Sequence, residues 1–135
     1  MGWVSKTSVV FIATASFASA EPFREITVGV PVSSIADAEP WYLNFLGADT
    51  EIMRPVPGVV EFKVAPDTWI QVFESENQQP SGAIIRFLVD DMEVAQKIRS
   101  ERGINTGEAI EIPGIVTYSE FTDPFGNALG LYDLP

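Results

Sequence analysis

From Ile26 onward, apolar and polar residues alternate in short runs that are interrupted twice by helical spacing. Val28, Val30 and Val32 take every second place with Thr27, Gly29 and Pro31 between them, which predicts a strand with one buried face and, at Pro31, an edge or a bulge nearby. Ser33-Ser34 ends it. Asp37 is the expected N-cap of the helix that follows, because it puts Pro40 in the first turn, where a missing N–H costs nothing, whereas a start at Ser34 would push Pro40 inside. Trp41, Tyr42, Phe45 and Leu46 then form an apolar stripe, and Gly47 is the natural closing residue. That stripe reads as core rather than as a stack for a cofactor.

Three strands are predicted next, at 50–54, 59–64 and 69–74, with turns at 55–58 and 65–67. Val60, Phe62 and Val64 share one face of the second, with Glu61 and Lys63 opposite; Ile70 and Val72 of the third oppose Trp69, Gln71 and Phe73. Residues 75–82 are a polar linker. The order then restarts. A strand at 83–89 leads to a helix capped by Asp90 or Asp91, with Val94, Ala95 and Ile98 as its buried stripe and Gly103 closing it. Strands at 109–112, 115–122 and 128–132 follow, the last two joined by the tight turn Asp123-Pro124-Phe125-Gly126-Asn127. Leu129 and Leu131 alternate with Gly130 and Tyr132, leaving one face of the final strand for a site. The fold class is therefore α+β, with two βαβββ units at about 26–74 and 83–133 in a single domain, 21–135.

Phe121-x-Asp123-Pro124-x-Gly126-Asn127 with its short alternating strand resembles the closing hairpin of the vicinal oxygen chelate superfamily. That superfamily holds glyoxalase I, extradiol dioxygenases, fosfomycin-modifying enzymes and bleomycin-resistance proteins. The resemblance covers essentially 26–133 and implies a curved mixed sheet with a concave cleft, commonly completed by pairing two chains. In metal-dependent members four side chains hold the ion, and the positions matching them here are Thr27, Gln71, Ile84 and Gly130. None is a strong ligand, so a divalent ion would lose water without gaining charge. No metal and no cofactor are expected.

Composition narrows the chemistry further. The 135 residues include no His and no Cys, which removes thiolate zinc sites, disulfides and any triad built on histidine. With 19 acidic against 8 basic residues, the formal charge of −11 argues against nucleic acid or an anionic membrane surface and favours neutral or cationic ligands.

Alternation turns Glu61, Lys63, Trp69, Gln71, Phe73, Arg86, Leu88, Tyr118, Glu120 and Tyr132 toward the cleft. Of these, Trp69, Gln71, Phe73, Arg86, Tyr118, Glu120 and Tyr132 are the candidate ligand-binding residues, with Arg86 set to pair with Glu61 or Glu120 or to receive an anionic group. The leading expectation is a metal-free homodimeric binding protein of the bleomycin-resistance type, holding a cationic or aromatic small molecule without chemistry. The alternatives are a metal-independent lyase or isomerase using Glu61 or Glu120 with Tyr118, and a purely structural interaction module.

Residues 1–20 carry one charge, Lys6, then an apolar run ending Ala18-Ser19-Ala20, the pattern of a secretory signal and too short to span a bilayer. The expected location is periplasmic or secreted, with a retained extra element in the cytoplasm as the alternative. Sequencing the N-terminus of protein made in its native host should give Glu21 first; a chain beginning at Met1 or Gly2 removes this reading.

Overall fold

The computed structural model describes residues 23–77 and 79–135, so the expected signal segment and Gln78 of the linker lie outside the described residues. In chain order the elements are β1 (Ile26–Val32), α1 (Ile35–Leu46), β2 (Ile52–Met53), β3 (Val59–Ala65), β4 (Thr68–Glu74), β5 (Ile84–Leu88), α2 (Met92–Glu101), β6 (Ile110–Ile112), β7 (Val116–Thr122) and β8 (Ala128–Asp133). The two halves repeat one topology. Each forms a four-stranded sheet, ordered β1-β4-β3-β2 and β5-β8-β7-β6, in which the first pair is parallel and the others antiparallel. This is the α+β arrangement of two βαβββ units that the alternation predicts. Among the described residues no helix is long and apolar enough to cross a membrane.

The inner faces of both sheets enclose the helices in one core. Val30, Val32, Val60, Phe62, Ile70 and Val72 pack with Tyr42 and with Leu129 of the second unit, while Phe45 packs with Met92, Ala95, Ile104 and Leu131. Phe45 is the joint between them: its ring lies 5.4 Å from Phe87 and 5.5 Å from both Trp41 and Phe121. Reciprocal bonds fasten the helices, Asn44 Nδ2 donating to the Arg102 carbonyl at 2.9 Å and Arg102 Nη1 to the Asn44 carbonyl at 3.0 Å.

Both helices depart from the sequence expectation, each for a physical reason. Ser34, not Asp37, caps α1: its hydroxyl accepts from the Asp37 N–H at 3.2 Å, and Pro40 lies inside the helix. An interior proline forfeits a backbone bond, yet the earlier start is what buries Ala38 completely and gives the Ile35 N–H an acceptor in Glu74 Oε2 at 3.1 Å. In α2, capped by Asp91, the buried side chains are Met92 and Ala95; Val94 and Ile98 are exposed. The helix is turned so that Gln96 reaches the Gly107 carbonyl at 2.7 Å and Arg99 lies over Phe45, leaving polar residues on the inward stripe. The predicted strand at 50–54 shrinks to β2, a two-residue pairing against β3.

The turn from Asp123 to Asn127 closes as expected, with the Asp123 N–H bonded to the Asn127 carbonyl and Gly126 at φ 88. Asp123 is buried, and its carboxylate accepts from the Phe125 and Asn127 N–H groups, from Asn127 Nδ2 and, at 2.7 Å, from the Tyr42 hydroxyl. Asn127 Nδ2 also donates to the Pro31 carbonyl at 2.8 Å, so the second unit's turn is bonded to α1 and β1 of the first. Burial, followed by the Asp123 charge, raises the Tyr42 phenol far above its ordinary pKa and keeps it a donor. Tyr42→Phe leaves a buried charged acceptor short of one donor and should lower unfolding free energy by about 1–3 kcal/mol in urea titration. An unchanged midpoint refutes that role.

Candidate functional site

Strand register sets the site residues in two matching rows. In the first unit Gly29 of β1, Gln71 of β4 and Glu61 of β3 lie side by side; in the second the same places hold Arg86 of β5, Gly130 of β8 and Glu120 of β7. Their chemistry differs. Gln71 Nε2 donates to Glu61 Oε2 at 2.7 Å, a neutral amide satisfying a carboxylate on the adjacent strand. Arg86 instead reaches over β8 and donates through Nη2 to Glu120 Oε2 at 2.5 Å. Gly130 makes that reach possible, since a Cβ there would sit 3.2 Å from Arg86 Cγ and 2.8 Å from the Ser119 carbonyl oxygen.

Around this ion pair lies a pocket of about 380 Å³ lined by Arg86, Ile112, Val116, Tyr118, Glu120 and Tyr132. Tyr118 and Tyr132 are direct partners in the β7–β8 ladder, and Ile112 is opposite Val116 across the β6–β7 hairpin. Two phenols, two branched aliphatic walls and a salt-linked pair make a surface that can sandwich an apolar body and hydrogen-bond its edge. Of the residues predicted from sequence, Arg86, Tyr118, Glu120 and Tyr132 are brought together here. Val116 shares their strand face, so alternation could have found it. Ile112 depends on the hairpin register set at Pro113-Gly114, where Gly114 has φ 76, and alternation carries no such information.

Trp69, Gln71 and Phe73 are placed elsewhere, on the outer face of the first sheet. The Trp69 indole N–H donates to Glu25 Oε2 at 2.9 Å and the Lys63 ammonium lies 5.9 Å from the ring centre, a partner in Glu25 that no pattern in the sequence announced. Phe73 lies against Gly29, where an added Cβ would come within 3.3 Å of its ring. Because the inner faces of the two sheets share one core, their outer faces turn away from each other within a chain. Glu61 and Glu120 therefore form no carboxylate pair, and Arg86 takes Glu120 as its partner, not Glu61.

The positions matching the superfamily's metal ligands do not suit an ion. Thr27 offers a hydroxyl, Gln71 is engaged with Glu61, Ile84 has no donor atom, and the space beside Gly130 is crossed by the cationic Arg86. Among the described residues no three acidic side chains gather where they could hold a metal.

No protein-family model matches the sequence, and no curated protein matches it. Solved structures do match the fold. A glyoxalase/bleomycin resistance protein from Catenulispora acidiphila superposes with a TM-score of 0.71 at 21% identity, over 82% of this chain and 98% of that one. TnmS3, an antibiotic binding protein from Streptomyces sp. CB03234, gives 0.68 at 22% identity over 87% of this chain and 100% of the other. The fosfomycin resistance protein FosX from Listeria monocytogenes, complexed with Mn(II) and sulfate, gives 0.65 at 15% identity over 87% and 93%. Two βαβββ units in this order, closed by the Asp123–Asn127 turn and matched across nearly the whole length of these structures, give the chain the vicinal oxygen chelate fold of the glyoxalase/bleomycin resistance/dioxygenase superfamily.

Proposed function

We propose that the protein binds a small cationic or aromatic molecule, without metal and without chemistry, in a cleft completed by a second copy of the chain. The observation that carries this reading is the pocket walled by Tyr118, Tyr132, Ile112 and Val116 around the Arg86–Glu120 pair. An apolar sandwich with one fixed polar pair suits recognition of a flat organic body, and the excess of acidic residues favours a cation among such bodies. Support for a small-molecule ligand comes from the fold neighbours named for antibiotic binding and for bleomycin or fosfomycin resistance.

Geometry supports the dimer reading. Gln71 and Phe73, with the buried Trp69 beside them, are on the outer face of one sheet and Arg86, Tyr118, Glu120 and Tyr132 on that of the other, so a cleft using both faces takes one from each of two chains. The free edges also want a cover: Ile26 on β1 and Leu88 on β5 are more than half exposed. A second reading, a metal-independent lyase or isomerase, has one observation in its favour, namely that Tyr118 and Glu120 line the same pocket. It needs Glu120 released from Arg86 before the carboxylate can move a proton.

Sedimentation should show a dimer at micromolar concentration. A screen of cationic aromatic compounds, read by tryptophan fluorescence, should yield a ligand whose affinity falls with added salt and drops roughly tenfold or more in Tyr132→Ala or Trp69→Ala. Gly130→Ala, which displaces Arg86 and presses on the Ser119 carbonyl, should weaken binding as well. A monomer, or a ligand indifferent to all three substitutions, defeats the proposal.

A further inference from the structure

A second cavity, also about 380 Å³, opens between the two units at the edge of β5, with Arg86 as the residue it shares with the pocket just described. Phe45 and Leu46 line it from the end of α1, Val64 from β3, and Ile85 and Phe87 from β5; α2 contributes Arg99. Thr68 and Arg86 also line it, and Arg99 is the cation there with no anion. Its guanidinium carbon lies 5.0 Å from the Phe45 ring centre and Nη1 bonds the Ala95 carbonyl at 3.1 Å, but Nε is buried with no hydrogen-bond partner. No ion pair reaches it among the described residues, although the chain carries 19 acidic side chains. Arg86, the other cation on the rim, is already held by Glu120. Burial, and then the neighbouring charge of Arg102, lowers the Arg99 pKa from its ordinary value, the effect of a cation placed where no anion answers it.

A planar cation without an anion, set in a largely apolar wall, is half of a recognition site for an amphiphilic anion. We propose that this cavity binds a monocarboxylate with an apolar body, the carboxylate on Arg99 and the body along Phe45, Ile85 and Phe87. The carboxylate neutralises the guanidinium, and the aliphatic or aryl part covers the ring surfaces that line the cavity. This cavity wraps the free edge of β5 and shares Arg86 with the cleft, but its other lining residues are separate from those of the cleft.

The test is an NMR titration of the whole chain with sodium decanoate below its micelle concentration and, in parallel, with uncharged decanol. Decanoate should shift the Arg99 Nε–H resonance saturably, the resonance being identified by its loss in Arg99→Met, and should bind at least tenfold more tightly than decanol. Arg99→Met should lose that preference while its Tm stays level or rises, since an unpaired buried charge gives way to an apolar side chain of similar reach. Arg99→Lys, which keeps the charge, should keep a preference for decanoate and serves if the Met variant does not fold. Equal affinity for the two ligands, or undiminished decanoate binding in Arg99→Met, overturns the proposal. A clear fall in the Tm of a folded Arg99→Met also overturns it, because the side chain is then a structural cap on Phe45.

Discussion

One buried carboxylate holds the second unit's closing turn to the first unit. Asp123 takes two backbone N–H groups of its own turn, the Asn127 amide and the Tyr42 hydroxyl, so its charge is fully answered by donors and not by a cation. A buried ionised group is stable only on those terms. The consequence is geometric. Tyr42 fixes the middle of α1, Asn127 fixes the end of β1 through the Pro31 carbonyl, and the turn itself sets where β8 begins and hence which residues of β7 and β8 face each other. Moving the carboxylate by one residue would turn Gly130 and Tyr132 into the core and Leu129 and Leu131 out of it.

With the scaffold fixed this way, the two units have made different uses of the same row. Both end the row in a glutamate, Glu61 or Glu120. In the first unit the glycine is on the edge strand and glutamine is central, so the glutamate meets a short neutral partner on the next strand. The second unit reverses the order. Its glycine is central and its arginine is on the edge, so a long cation spans two strands and the glutamate is charge-paired. At 44% and 45% side-chain exposure, the Arg86–Glu120 pair adds little to stability, because water screens it. Its value is positional: it holds a cation and an anion at a known place beside two phenols.

Periodicity was enough to read the strands, because Val28, Val30 and Val32, then Val60 and Phe62, then Ile70 and Val72, obey a period of two with little interference. It was also enough to assign Arg86, Tyr118, Glu120 and Tyr132 to one face. The helices were harder. Pro40 carries a local penalty that disfavours Ser34 as the cap, and tertiary burial of Ala38 with the Glu74 acceptor outweighs it. In α2 the inward stripe contains Gln96 and Arg99, so apolar spacing pointed to Val94 and Ile98, which are exposed. What alternation could not tell was how the two faces sit relative to each other. The sharing of one core by Leu129 and Ile70, far apart in sequence, separates Trp69 and Phe73 from Tyr118 and Tyr132 within a chain.

In a chain this acidic, the arginines are the informative residues. A carboxylate at the surface needs no explanation beyond solubility, but each arginine has had many possible partners and its choice records a constraint. Arg54 takes Glu39 in the open, Arg102 ties α2 to the Asn44 carbonyl, and Arg86 crosses a glycine to reach Glu120. Arg99 and Arg102 have backbone carbonyls but no ion pair among the described residues, and Arg99 also lies over an aromatic ring with its Nε buried and unbonded. A guanidinium serving only to cover Phe45 would gain nothing from having Nε withdrawn from water; methionine or leucine would cover the ring without that cost. The unanswered cation is therefore better accounted for by something that arrives from outside the chain than by the packing of the chain itself.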